Sequence, residues 1–125
     1  MTKRSTKLRS QPMPEIPPLK HYARDDGRIE FSVENWPGAV TKVFEDLQLQ
    51  GGGCTWEGLL HAFADLASPP ITEDYVIDAE ASDVWITVNS VETAERFKVL
   101  IRRAIADLEF LRHALAHAEA HHDLE

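Results

Sequence analysis

A chain of 125 residues with 43% hydrophobic and 8% aromatic residues has the material for one domain with a core, and its single cysteine excludes an internal disulfide and a cysteine-based zinc cluster. Its apolar runs fall short of the roughly 18 residues that cross a bilayer, and no apolar segment follows the basic N-terminus as a secretory signal requires, so a cytoplasmic protein with no membrane partner is expected. The net charge of −8 is uneven: residues 1–28 hold seven basic and three acidic residues, and the remainder holds six basic and eighteen acidic, an acidic body that repels nucleic acid and attracts basic partners.

In chain order, residues 1–28 contain four prolines and little apolar periodicity, which predicts a basic tail, flexible or laid along the surface, ahead of a single domain over 29–125. "RIEFSVEN" alternates Ile29, Phe31 and Val33 with polar residues, the mark of a strand with one buried face, and Asn35, Pro37 and Gly38 end it. Val40, Val43, Phe44 and Leu47 then fall at helical spacing. After three glycines, Thr55 is the expected N-cap of a second helix with an apolar face of Trp56, Leu59, Leu60, Phe63 and Leu66, stopped at Ser68-Pro69-Pro70. "DYVIDAEASDVWITVN" predicts a hairpin in which Val84, Ile86 and Val88 face the core and Trp85 the opposite side.

From about residue 90, the residues Ala94, Phe97, Ile101, Ala104, Leu108, Leu111, Leu115 and Ala118 hold one seam of a long helix, with Asn89 and Glu92 as its capping box. Beyond about Leu111 this helix outruns the sheet and is expected to project or self-associate, which makes it the surface for a homodimer. The fold class is α+β: a small antiparallel sheet, helices packed mainly on one face and a long C-terminal helix.

The glycines do not read as a phosphate loop, because a helix precedes them and no lysine follows. Gly51 is expected to supply a left-handed helix C-cap, while Gly52 and Gly53 let two helices turn and pack closely. Either Gly51 or Gly53 is expected at positive φ, with Trp56 buried. Cys54 and His61 are seven residues apart, about 10 Å along a helix, too far to share a proton, so a buried, inert cysteine is expected.

His113, His117 and His121 step by four along the last helix and suit adventitious metal binding, but no HExxH motif is present and neither a catalytic nor a resident metal nor any other cofactor is expected. Glu73, Asp74, Asp78, Glu80 and Asp83 place five carboxylates within eleven residues, the densest negative stretch of the chain. They are the expected partner-facing surface, with Trp85 either their aromatic anchor or, if the second face is covered, a residue buried for structural reasons. No catalytic constellation emerges, and the chain is not expected to be an enzyme.

The run "VFEDLQLQGGGCTWEGLLHAF", followed by "YVIDAEASDVWITVNSVETAERFKVLIRRAI", resembles the immunity protein 51 family of bacterial polymorphic toxin systems. In that family an amphipathic helix leads into a Gly-Asn-Gly-Tyr-x-Trp motif opening a second helix, followed by acidic strands and a helix. Gly51, Gly53 and Trp56 match the motif, whereas Gly52 and Cys54 depart from it, and the resemblance spans about residues 29–112. It implies a protein that neutralises a cognate toxin or effector by direct binding, the acidic body suiting a partner with a basic cleft. The alternative is a small regulatory or adaptor domain that assembles through its long C-terminal helix.

Overall fold

The computed structural model describes residues 20–122 and 124. The elements are β1 (Lys20–Ala23), β2 (Ile29–Glu34), α1 (Gly38–Asp46), α2 (Gly53–Leu66), β3 (Tyr75–Ala79), β4 (Asp83–Val88), α3 (Val91–Ala106) and α4 (Leu108–His121). The strands form one sheet in the order β1-β2-β4-β3, every neighbour antiparallel. Helices α2 and α3 pack on the sheet and α4 packs on them, so the fold is α+β with its helices on one face.

Burial follows the period-2 pattern of the strands. Phe31 pairs with Ile86, which pairs with Ile77, and Val33 pairs with Val84. Phe31, Val33, Val84, Ile86 and Val88 are fully enclosed beneath Trp56, Leu59, Leu60 and Phe63 of α2 and Phe97 and Ile101 of α3. Each such side chain contributes about 1.5–3 kcal/mol by leaving water.

The boundary expected at residue 28 moves. Residues 1–19 lie outside the described residues, but Lys20–Ala23, assigned from sequence to the tail, is strand β1, joined to β2 by a turn with Gly27 at φ 84°. Four residues are too few to show an alternation. What makes them a strand is the free hydrogen-bonding edge of β2, a partner invisible in local sequence.

The long C-terminal helix is two helices. Asp107 leaves helical geometry at φ −131°, ψ 97°, and its Oδ1 accepts hydrogen bonds from the N–H groups of Glu109 (3.1 Å) and Phe110 (3.3 Å). Aspartate is a weak helix-interior residue and a strong N-cap, and here the cap wins over a seam that reads straight through. The chain turns back, so that Leu111, Ala114, Leu115 and Ala118 are buried, and Phe110 stacks on Phe63 with ring centroids 6.0 Å apart. The face that was expected to project and self-associate is spent inside the same chain.

Other helix ends also differ in detail. Ser90, not Asn89, caps α3, its Oγ accepting from Thr93 N at 3.1 Å, while Asn89 accepts from Arg28 Nε. Helix α1 closes with Gln48 at φ 61°, its N–H bonded to Glu45 O and that of Leu49 to Phe44 O, both at 2.9 Å. Gln48 therefore fills the left-handed cap expected of Gly51. Gly51 does have positive φ, 82°, but in the connection beyond the helix. Helix α2 begins two residues before Thr55, with Gly52 at its N-cap, and the buried Thr55 Oγ1 instead accepts from Gly51 N at 3.0 Å.

Candidate protein-binding face

Because side chains alternate along a strand, the residues out of phase with the core share the sheet's other face. These are Glu30, Ser32 and Glu34 of β2, Asp83, Trp85 and Thr87 of β4, and Val76 and Asp78 of β3. The register sets Ser32, Trp85 and Asp78 in one row across the sheet and pairs Glu34 with Asp83. Val76 and Asp78 are exposed on this side and Trp85 is half-buried, while Ser32 and Thr87 are buried.

At the hairpin end, Glu30, Asp78, Glu80 and Asp83 gather around the half-buried Trp85 in a shallow concavity. None of the four carboxylates forms an ion pair among the described residues. Next to it, Asp25 and Asp26 share a second concavity with Glu30. The Arg28 N–H, aided by the Arg24 guanidinium 3.2 Å away, holds the Asp26 carboxyl below its usual range. With Arg24 and Arg28 beside Asp25 and Asp26, the turn itself is close to neutral.

Two of the expected site residues lie elsewhere. Glu73 and Asp74 precede β3 while Glu80 and Asp83 follow its end, and a five-residue strand separates them by about 17 Å. Glu73 accepts hydrogen bonds from the hydroxyls of Thr93 and Ser90, fastening the entry of β3 to the N-terminus of α3, where a negative charge also suits the helix dipole. Closeness in sequence placed these acids together, and an extended strand moves them apart. Glu30 and Glu34, which the sequence reading left out, take their place. Their signal was the same alternation in "RIEFSVEN" that identified β2.

The triple glycine mounts this face. A Cβ on Gly53 would collide with the carbonyl oxygens of Glu80 and Asp83, and one on Gly52 with that of Ala81. Only glycine lets the first turn of α2 sit against the backbone of the hairpin tip. The close approach is between helix and hairpin rather than between two helices. Behind it Trp56 is fully buried, as expected, against Phe44 edge-on at 6.1 Å and Trp36 at 5.4 Å.

Cys54, the second residue of α2, is exposed, contrary to expectation. His61 does not serve it and instead shares a hydrogen bond with the Tyr75 hydroxyl at 2.8 Å. Nor do the stepped histidines act as a row. His113 is exposed, while His117 and His122 converge through Nε2 on Oδ2 of Asp65, at 3.0 and 2.7 Å. Those hydrogen bonds, that of His122 foremost, hold the Asp65 carboxyl below its usual range. Burial, followed by the charge of His122, pushes His61 down.

No family model, curated protein or solved structure matches this chain. Among the described residues no helix is long and apolar enough to cross a membrane.

Proposed function

We propose that this chain is a cytoplasmic immunity protein that neutralises a cognate bacterial toxin by binding it, without chemistry of its own, and that the acidic sheet face is the toxin-facing surface. The observation that carries the reading is the convergence of Glu30, Asp78, Glu80 and Asp83 around the half-buried Trp85. Carboxylates so grouped, with no ion-pair partner among the described residues, make the local potential more negative and steer a basic cleft toward the sheet. Trp85 at their centre offers the aromatic area on which protein interfaces concentrate affinity. A toxin that acts on nucleic acid carries such a basic cleft, and an acidic inhibitor seated there excludes the substrate. The resemblance carried by Gly51, Gly53 and Trp56 supports the same reading, and of these Gly53 sits against the hairpin tip that carries Glu80 and Asp83. The adaptor alternative draws less support, since the apolar face of α4 is buried within the chain.

The test is co-expression with the toxin domain encoded immediately upstream of this gene. The wild-type chain is expected to restore growth and to co-purify with that domain. The triple variant Asp78→Lys, Glu80→Lys, Asp83→Lys is expected to associate about tenfold more slowly or worse at low salt and with a flatter salt dependence. Unaltered association and protection by the triple variant would remove this face from the interface, and absence of protection by the wild type would remove the function.

A further inference from the structure

We infer that Asp65, His117 and His122 form a binding site for a divalent transition ion of the zinc type, which clips the C-terminal end of α4 to α2. The three residues come from α2, from α4 and from the residue that follows α4, 52 and 57 positions apart in sequence. Their ligand atoms, Asp65 Oδ2 and the two Nε2 atoms, all lie within 4.8 Å of one another. A tetrahedral zinc ion with bonds of about 2.0–2.1 Å holds its ligand atoms about 3.3–3.4 Å apart. The two nitrogen-to-oxygen separations, 3.0 and 2.7 Å, need to open by well under 1 Å to reach that spacing. The side chains are 24, 26 and 46% exposed for His117, His122 and Asp65, which leaves them free to make that adjustment and gives the ion a path from solvent.

The donor set selects the ion. Two imidazole nitrogens with one carboxylate oxygen suit zinc, cobalt, nickel or copper, whereas magnesium and calcium prefer oxygen ligands throughout. Three protein ligands on one side leave the outer position to water, the arrangement of an open zinc site. A metal-binding imidazole needs its ring held in place. His122 stacks on His61, ring centroids 5.3 Å apart, and His61 is in turn tied to the Tyr75 hydroxyl. In the absence of an ion two imidazole N–H groups share a single carboxylate oxygen, and one cation replaces both protons at the same place.

The rival is a site on α4 alone, where His117 and His121 stand one turn apart with ring centroids 4.4 Å from each other. Calorimetric titration of the full chain, free of any added histidine tag, with zinc chloride near neutral pH separates the two, with thermal melts alongside. One equivalent is expected to bind and to raise the melting temperature, because an ion bound only by the folded state stabilises it. Asp65→Asn and His122→Ala are each expected to weaken binding about tenfold or more and to abolish the rise, with His113→Ala and His121→Ala within about twofold of wild type. Far-UV circular dichroism confirms that each variant is folded, and the half-exposed Asp65 makes the first of them structurally mild. Binding that survives Asp65→Asn but is lost in His121→Ala would overturn the proposal, as would the absence of saturable zinc binding by the wild type. The toxin takes no part in these measurements, so their outcome stands apart from the function proposed above.

Discussion

The two faces of strand β4 set the same six residues to different tasks. Val84, Ile86 and Val88 have no exposed surface and meet the helices, whereas on the other side Asp83 and Trp85 remain partly open beside Glu30 and Asp78 and only Thr87 is buried. On the first face each side chain is constrained by its neighbours' volume, and on the second it is constrained by charge and by whatever approaches. A substitution's cost should therefore depend on the parity of its position more than on its distance along the chain.

The sharpest break of that comparison is Ile86→Ala. It empties a site packed on all sides and is expected to lower stability by about 2–5 kcal/mol, read from urea unfolding. Next comes Gly53→Ala, which forces a methyl group into the carbonyls of Glu80 and Asp83. A cost of about 1–3 kcal/mol is expected. Because this contact joins the helical layer to the acidic tip, slower association with the proposed partner should accompany the lower unfolding midpoint. A loss of stability with unaltered association would show that the tip keeps its shape without the helix. Asp107→Ala removes the cap of α4 and is expected to cost about 1 kcal/mol, with association unaffected since the change lies on the helical side. The smallest change in stability belongs to Asp78→Ala on the open face, within about 0.5 kcal/mol. If it matched Ile86→Ala in unfolding experiments, the open face would itself be packed.

Local pattern was enough to read much of this. The alternation in "RIEFSVEN" and "DVWITV", the turn between β3 and β4 and the apolar face of α2 are signals confined to a few neighbouring residues, and the placement of Trp85 opposite Val84 and Ile86 followed from parity alone. What escaped was set by distant partners. Strand β1 exists because β2 offers it an edge, the acidic concavity needs Glu30 brought beside β4, and Gly53 meets a hairpin some thirty residues away. Asp65 lies 52 residues from His117, with nothing between to announce the meeting. The break at Asp107 is a different case. Its signal was local, an aspartate followed two residues later by a glutamate that suits a first helical turn, but Ala104, Leu108 and Leu111 keep helical spacing across it and masked it.

The contact that Gly52 and Gly53 make is with the carbonyl oxygens of residues 80, 81 and 83, atoms that every amino acid possesses. The mount is therefore indifferent to what the tip displays. Glu80, Ala81, Ser82 and Asp83 sit as an exchangeable head on a fixed socket, where new residues alter the surface displayed while the socket keeps the loop in place. Change in the glycines is closed off by sterics and change in the head is nearly free, so diversification among chains of this architecture should accumulate at residues 80–83 and spare 52 and 53.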